Sequence, residues 1–103
     1  MPTILSAKQA EALIAGGDVQ VIDVREPAEY AAGHVPGARS LPLARIKADA
    51  RNELSGDRIL FICAKGVRSL TAAQLAESIG IGEVWSLEGG TVAWAHAGLP
   101  IER

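Results

Sequence analysis

Cys63 is the one cysteine of the chain, and it stands between an apolar run and a short loop that carries Lys65, Gly66 and Arg68. Only the ionised form of a thiol is a strong nucleophile, and nearby cations and a helix N-terminus both favour that form. Glycine in such a loop can adopt the positive φ that turns successive main-chain amides toward one anion. These residue types at this spacing therefore predict nucleophilic chemistry by the sulfur of Cys63.

Two other uses of this cysteine have to be weighed. A single cysteine cannot form an intrachain disulfide, and together with two scattered histidines, His34 and His96, it does not make a zinc site. It could still be an inert buried side chain, as most single cysteines are. Its neighbours argue against that, because residues 58–76 contain three basic residues and no acidic one. A locally positive segment in a mildly acidic chain favours a reactive thiol.

The composition limits the classes of protein to which the chain can belong. Its 103 residues, 49% hydrophobic and 21% charged, are typical of one soluble globular domain over residues 1–103. A net charge of −2 argues against a nucleic-acid partner. The apolar stretches are shorter than the roughly 20 residues that span a bilayer, and the N-terminus does not resemble a secretory signal. We therefore expect a cytoplasmic monomer without a membrane partner.

The loop has to be held by the elements on either side of it. Residues 58–63 are apolar except for Arg58, which predicts a buried strand, and residues 68–80 have the pattern of a helix with Leu70, Ala73 and Leu75 facing inward. In an open α/β sheet, ligands bind beyond the carboxyl ends of the strands. Cys63 lies at that end of its strand.

The other segments continue the alternation of strands and helices. Ser6 and Gln9 form a capping box for a first helix that Gly16 and Gly17 end. Further patterns predict strands at 19–24 and 83–87 and helices at 27–33, 43–54 and 91–98. This alternation predicts an α/β fold, with a parallel sheet covered by helices on both faces.

Three stretches of the sequence resemble the rhodanese domain family of sulfurtransferases. They are CAKGVRS at 63–69, VIDVREPAEYAAGHVPGARSLPL at 21–43 and LEGGTVAWAHAGLP at 87–100. The resemblance covers nearly the whole chain and implies a sheet of about five parallel strands flanked by helices. It also implies that Cys63 is the sulfur-accepting nucleophile. The substrate-binding loop would then consist of Ala64, Lys65, Gly66, Val67 and Arg68.

The mechanism that this resemblance implies is covalent. The Cys63 thiolate would take sulfur from a small anionic donor such as thiosulfate and pass it from a persulfide to cyanide, a thiol or a sulfur-accepting protein. Lys65 and Arg68 would attract and orient the donor. No metal or organic cofactor is called for. We expect the sulfur to be open to solvent and kept ionised by main-chain donors and by these two cations.

Two other motifs within the resemblance are interpreted as structural. Asp23 and Arg25 would tie the end of a strand to the loop that follows it. His34 is distant in sequence from Cys63, and an ionised thiol needs no general base.

Three alternatives to a free-standing sulfurtransferase remain. Cysteine phosphatases and arsenate reductases resemble Cys-x5-Arg, whereas four residues separate Cys63 from Arg68 in this chain. A non-catalytic rhodanese-like module is disfavoured because Cys63 and its loop are present. A relay that accepts persulfide sulfur from a partner protein fits the sequence as well as a thiosulfate enzyme does.

Overall fold

A five-stranded parallel sheet forms the centre of the computed structural model, which describes residues 2–103. Its strands lie in the order β1-β5-β4-β2-β3, and every neighbouring pair is parallel. The strands are β1 (Thr3–Leu5), β2 (Gln20–Asp23), β3 (Arg39–Ser40), β4 (Arg58–Ile62) and β5 (Glu83–Leu87). The α/β fold expected from the residues and from the resemblance is thereby confirmed.

Five helices cover the two faces of this sheet within residues 2–103. They are α1 (Ala7–Ala15), α2 (Pro27–Ala32), α3 (Leu43–Glu53), α4 (Val67–Ser78) and α5 (Gly90–His96). The capping box predicted at the start of α1 is present, with Gln9 N–H donating to Ser6 Oγ at 3.2 Å and Ser6 N–H donating to Gln9 Oε1 at 2.9 Å. None of these helices is long and apolar enough to cross a membrane.

Strand β4 divides the core because its side chains alternate between the faces of the sheet. Ile59 and Phe61 belong to the cluster with α3 and α4, whereas Leu60 and Ile62 belong to the cluster with α1 and α5. All four side chains are fully buried. Cys63 follows directly and lies on the α4 side of the sheet. The residue predicted to react therefore extends from the best-buried strand of the protein.

Some details differ from the predictions. The residues of β1 and β3 were not predicted as strands, since segments of three and two residues at the sheet edges are too short to show a pattern. Helix α4 buries Ala72 and Ala76 together with Ala73, whereas Leu70 and Leu75 are only half-buried. Small side chains on its inner face let this helix lie close against the sheet.

Candidate active site

The main chain at Cys63 is held by hydrogen bonds from the first residues of α5. The N–H of Thr91 donates to the Cys63 carbonyl at 2.9 Å, and the N–H of Val92 donates to the Ala64 carbonyl at 3.1 Å. Gly90 makes this approach possible, because a Cβ atom there would collide with the carbonyls of Cys63 and Ala64. Its positive φ of 56° also favours glycine. The loop therefore starts from a rigid base.

Two hydrogen-bonding groups contact the sulfur directly. The Gly66 N–H donates to Cys63 Sγ at 3.0 Å, and Ser69 Oγ lies 3.4 Å from the same sulfur. Gly66 has a φ of 97°, which is why the loop can turn this amide inward. Behind the sulfur, Ser69 Oγ lies 2.7 Å from Ser86 Oγ, and both serines are fully buried.

These contacts decide how readily Cys63 ionises. Burial raises the pKa of the thiol, but the Ser69 hydroxyl and the main-chain amides of Ser69, Gly66 and Lys65 lower it by more. The net result is a pKa below the ordinary value. The expected main-chain donors are therefore present. The largest favourable contributions come from the Ser69 hydroxyl and the main-chain amides, and the ionised sulfur also attracts Arg68, which is one reason why the pKa of Arg68 is raised.

The prediction that the sulfur is open to solvent is wrong in one respect. Cys63 is only 1% exposed and packs with the apolar cluster that contains Phe61. The reason is its position at the end of β4, where its side chain points under α4. A cavity of about 250 Å³, lined by Cys63, Ala64, Lys65, Val67 and Arg68, lies beside the residue. Four of the five predicted loop residues thus line the cavity with Cys63, whereas Gly66 contacts the sulfur through its amide. A small reactant would have to enter this cavity to reach the sulfur.

Arg68 has a partner that sequence reasoning missed. Its Nη1 and Nη2 donate to Oε1 and Oε2 of Glu29 at 2.8 and 3.1 Å. Arg68 lowers the pKa of Glu29 to about 2, with help from the Glu26 amide, and Glu29 raises the pKa of Arg68. Lys65 is exposed and makes no ion pair with any residue in 2–103. The two cations of the loop are therefore not equivalent.

The residues interpreted as structural do have that role. The Arg25 guanidinium donates to both carboxylate oxygens of Asp23, at 2.7 to 3.1 Å, and to the Gly33 carbonyl at 2.7 Å. His34 Nδ1 lies 2.9 Å from the Tyr30 carbonyl, and the rings of these two residues stack with centroids 3.8 Å apart. Both motifs fix the segment between β2 and β3.

The roles of Ser69 and Ser86 were also missed, because no sequence pattern singles these two serines out. Ser69 occupies the first turn of α4, from which a side chain can face back into the preceding loop. Ser86 lies in β5 opposite Phe61 of β4, at a position where an apolar residue would be ordinary. Two polar side chains at buried positions beside the cysteine were the available signal. Within residues 2–103, no cluster of His, Cys, Asp and Glu side chains is placed to hold a metal ion.

Comparisons with known proteins agree on one family. The sequence model of the rhodanese-like domain family matches residues 6–97. A sulfurtransferase of Allochromatium vinosum is 41% identical over 85 residues, which cover 82% of this chain and 78% of that protein. The thiosulfate sulfurtransferase GlpE of Pseudoalteromonas translucida is 33% identical over 93 residues, which cover 90% and 89%.

A solved structure has the same fold as this chain. It belongs to a Rhodopseudomonas palustris protein of unknown function, called a "possible tyrosine phosphatase", and has a TM-score of 0.87 and 34% identity. The match covers 98% of this chain and 85% of that one. Three other curated relatives are longer than this chain, which spans 60%, 51% and 39% of their lengths.

Proposed function

Because this chain belongs to the rhodanese-like domain family, we propose that it is a sulfurtransferase that carries sulfur as a persulfide on Cys63. The observation that carries the proposal is the Gly66 amide at 3.0 Å from Cys63 Sγ, with the Ser69 hydroxyl at 3.4 Å. Donors placed around a sulfur in advance stabilise a thiolate and, after transfer, a persulfide anion. The names of the Allochromatium and Pseudoalteromonas relatives support the same activity.

The first half-reaction loads the protein. The Cys63 thiolate attacks the outer sulfur of thiosulfate, a bond forms between the two sulfurs, and the S–S bond of thiosulfate breaks. Its electron pair leaves with sulfite, and Cys63 keeps the transferred sulfur as a persulfide anion. Charge balances, because thiolate and thiosulfate carry three negative charges together, as do persulfide and sulfite. No oxidant or cofactor is needed for this step.

The second half-reaction releases the sulfur. A thiolate or cyanide attacks the outer sulfur of the persulfide, and the Cys63 thiolate leaves as it was at the start. The amides that held the thiolate are still in place, so the leaving group is stabilised without rearrangement of the loop. The cavity of about 250 Å³ limits this step to small reactants or to a thiol presented by a partner.

The features of this site also bear on the three alternatives, which are a phosphatase, a persulfide relay and a non-catalytic module. A phosphatase would need a cradle for a tetrahedral oxyanion, and the loop between Cys63 and Arg68 is one residue shorter than Cys-x5-Arg. Arg68 is also bound to Glu29, which leaves it less available for a phosphoryl group. A relay would differ from a thiosulfate enzyme in its donor. A non-catalytic module would not acquire sulfur at all.

Intact-mass spectrometry tests the proposal directly. After incubation with thiosulfate, the wild-type protein should gain about 32 Da, the mass of one sulfur, whereas Cys63→Ala should gain nothing. A parallel incubation with a persulfide-bearing protein donor separates a relay from a thiosulfate enzyme. A relay would gain the sulfur from the protein donor but not from thiosulfate, whereas a thiosulfate enzyme would gain it from thiosulfate. If neither donor adds mass to a folded wild-type protein, it is not a sulfurtransferase.

A further inference from the structure

Two cations, Arg68 and Lys65, lie at the mouth of the Cys63 cavity, and within residues 2–103 only Arg68 is neutralised by an ion pair. Arg68 and Glu29 are bound by two hydrogen bonds, and their side chains are 36% and 37% exposed. Lys65, which lines the same cavity as Arg68, makes no ion pair within the described part of the chain. A carboxylate from α2 therefore reduces the charge of the loop from +2 to about +1.

Glu29 is held in its ionised form at this place. Its Oε1 accepts a second hydrogen bond, from the Glu26 N–H at 3.0 Å, in addition to the bonds from Arg68. The other nearby cation, Arg25, is committed to Asp23 and to the Gly33 carbonyl. Since the pKa of Glu29 is about 2, its negative charge is present throughout the neutral range.

This charge affects sulfur donors unequally. Coulomb energy is proportional to the charge of the donor, so Glu29 repels a dianion twice as strongly as a monoanion at the same distance. The Cys63 thiolate adds repulsion of the same kind. Thiosulfate, which carries two negative charges, therefore meets the largest penalty among small donors.

An apolar surface at the mouth favours donors of a different kind. Val67 lines the cavity and is 74% exposed. On its other side it lines a groove with Leu70 and with Ile4, which is 52% exposed. An inorganic anion gains nothing from these side chains, whereas an alkyl group next to the reacting sulfur would bury apolar area against them.

We propose that Glu29 is a specificity-determining residue, which makes the site favour organic sulfur donors with one negative charge over dianionic thiosulfate. This inference rests on the sulfur-transfer function proposed above. It names organic persulfides and thiosulfonates as the preferred class of donor. Glu29 acts through the charge of Arg68 and through its own repulsion, without contact with the reacting sulfur.

Two donors that differ by one charge make the proposal testable. Thiosulfate and the methanethiosulfonate anion, CH₃SO₂S⁻, both offer an outer sulfur to the thiolate. The first leaves as sulfite and the second as methanesulfinate, and both produce the same Cys63 persulfide. Cyanide then collects the sulfur as thiocyanate. In ping-pong kinetics, the kcat/KM for each donor reports only the loading half-reaction.

The measurement is the ratio of kcat/KM for methanethiosulfonate to that for thiosulfate, in the wild type and in Glu29→Gln. Both donors react with the same thiolate, so a change in the pKa of Cys63 cancels in the ratio. Removal of one negative charge near the mouth should raise kcat/KM about ninefold for thiosulfate and about threefold for methanethiosulfonate. The ratio should therefore fall about threefold. Glu29→Asp, which keeps the charge, should restore it toward the wild-type value.

Glu83→Gln is the matched control. Glu83 accepts a hydrogen bond from Arg58 Nε at 2.9 Å, and this pair lies at the amino ends of β4 and β5, away from Cys63. The substitution changes the net charge of the protein by the same amount, and the ratio should stay at the wild-type value. If Glu29→Gln does not fold, Glu29→Ser makes the same change of charge.

The outcomes separate this inference from the proposed function. If both donors load Cys63 but the ratio is the same in the wild type and in the neutral Glu29 variant, Glu29 does not determine specificity and the sulfurtransferase assignment stands. If Glu83→Gln changes the ratio as much as Glu29→Gln does, the effect belongs to net charge and the inference is wrong. If neither donor loads the wild type, the proposed function itself fails.

Discussion

The immediate surroundings of Cys63 Sγ, which form the wall of the site, and the mouth of the cavity depend on different interactions. The wall consists of the buried hydroxyls of Ser69 and Ser86 and of main-chain amides such as that of Gly66, which is part-buried and donates to the sulfur. The mouth consists of Lys65, Arg68 and Glu29, which are exposed or half-buried. Hydrogen bonds in a buried site are strong and insensitive to salt, whereas charges near the surface are screened.

This difference suggests a division of roles. The wall determines how much of Cys63 is ionised and holds the persulfide once it forms. The mouth determines which donor reaches the sulfur and how fast. Substitutions in the wall should therefore change the pKa of Cys63, and substitutions in the mouth should change the KM for the donor. Three substitutions test this division.

Gly66→Ala should have the largest effect. At a φ of 97°, an alanine would be strained, and its Cβ would lie 3.2 Å from Gly89 N and 3.3 Å from Leu87 O. The loop would have to move, and the amide at 3.0 Å from Cys63 Sγ would be lost. Loss of one such donor costs about 100-fold in rate, so sulfur loading should fall by about that factor. The measurement is the single-turnover loading rate from thiosulfate.

Gly80→Ala supplies the control for backbone strain. Gly80 has a similar φ of 94°, it follows α4, and nothing lies within 4 Å of the position that its Cβ would occupy. Backbone strain should lower the free energy of unfolding by about 1 kcal/mol in Gly80→Ala, as it should in Gly66→Ala, but Gly80→Ala should load sulfur at the wild-type rate. Equal loading rates in the two variants would show that the Gly66 amide contributes nothing to the wall.

Ser69→Ala should have the next largest effect. The Ser69 hydroxyl and amide lower the pKa of Cys63, so the wild-type loading rate should rise with pH through a midpoint below the ordinary pKa of a cysteine thiol and level off above that midpoint. Removal of the hydroxyl should move the profile to higher pH and slow loading at neutral pH about tenfold. The measurement is the ultraviolet absorbance of the thiolate against pH, with the loading rate beside it.

Two further serines sharpen this test. Ser86→Ala should shift the profile in the same direction by less, because Ser86 reaches the sulfur only through Ser69 Oγ at 2.7 Å. Ser78→Ala, at the far end of α4, removes a hydroxyl that donates to the Leu75 carbonyl and should leave the profile unchanged. A profile for Ser69→Ala that matches the wild type would contradict the role assigned to the wall.

Lys65→Gln should have the smallest effect of the three. It removes the unpaired cation of the mouth, which should raise the KM for thiosulfate about threefold at low salt and leave the pKa of Cys63 nearly unchanged. The effect should vanish at high ionic strength, because Lys65 is exposed. Steady-state kinetics at two salt concentrations provide the measurement. A shift of the pH profile without a change in KM would place Lys65 in the wall instead.

The central unit of the fold could be predicted from sequence because its signals are local. A run of four apolar residues before Cys63, followed by a glycine loop and a helical pattern, predicts β4 and α4 almost to the residue. The edge strands β1 and β3 carry no comparable signal. They exist because β5 and β2 offer them free edges, which is a property of the assembled sheet.

The site was predicted in part for the same reason. Cys63 and residues 64–68 are contiguous, so their grouping around the sulfur and its cavity follows from the loop itself. Glu29 is 39 residues away from Arg68 and reaches it only because α2 packs beside the start of α4. Nothing in the local sequence says that a positive charge will be neutralised by such a distant residue. The depth of the sulfur was missed because burial depends on how close α4 lies to the sheet.

The base of the loop has a consequence for the order in which the protein matures. The amides that hold the Cys63 and Ala64 carbonyls belong to Thr91 and Val92, which follow Cys63 in the sequence after α4 and β5. During synthesis, Cys63 leaves the ribosome before these residues do. Until they have been made and have folded onto the sheet, the main chain at Cys63 lacks their two hydrogen bonds, so we expect the thiol to gain its full reactivity only after α5 has formed.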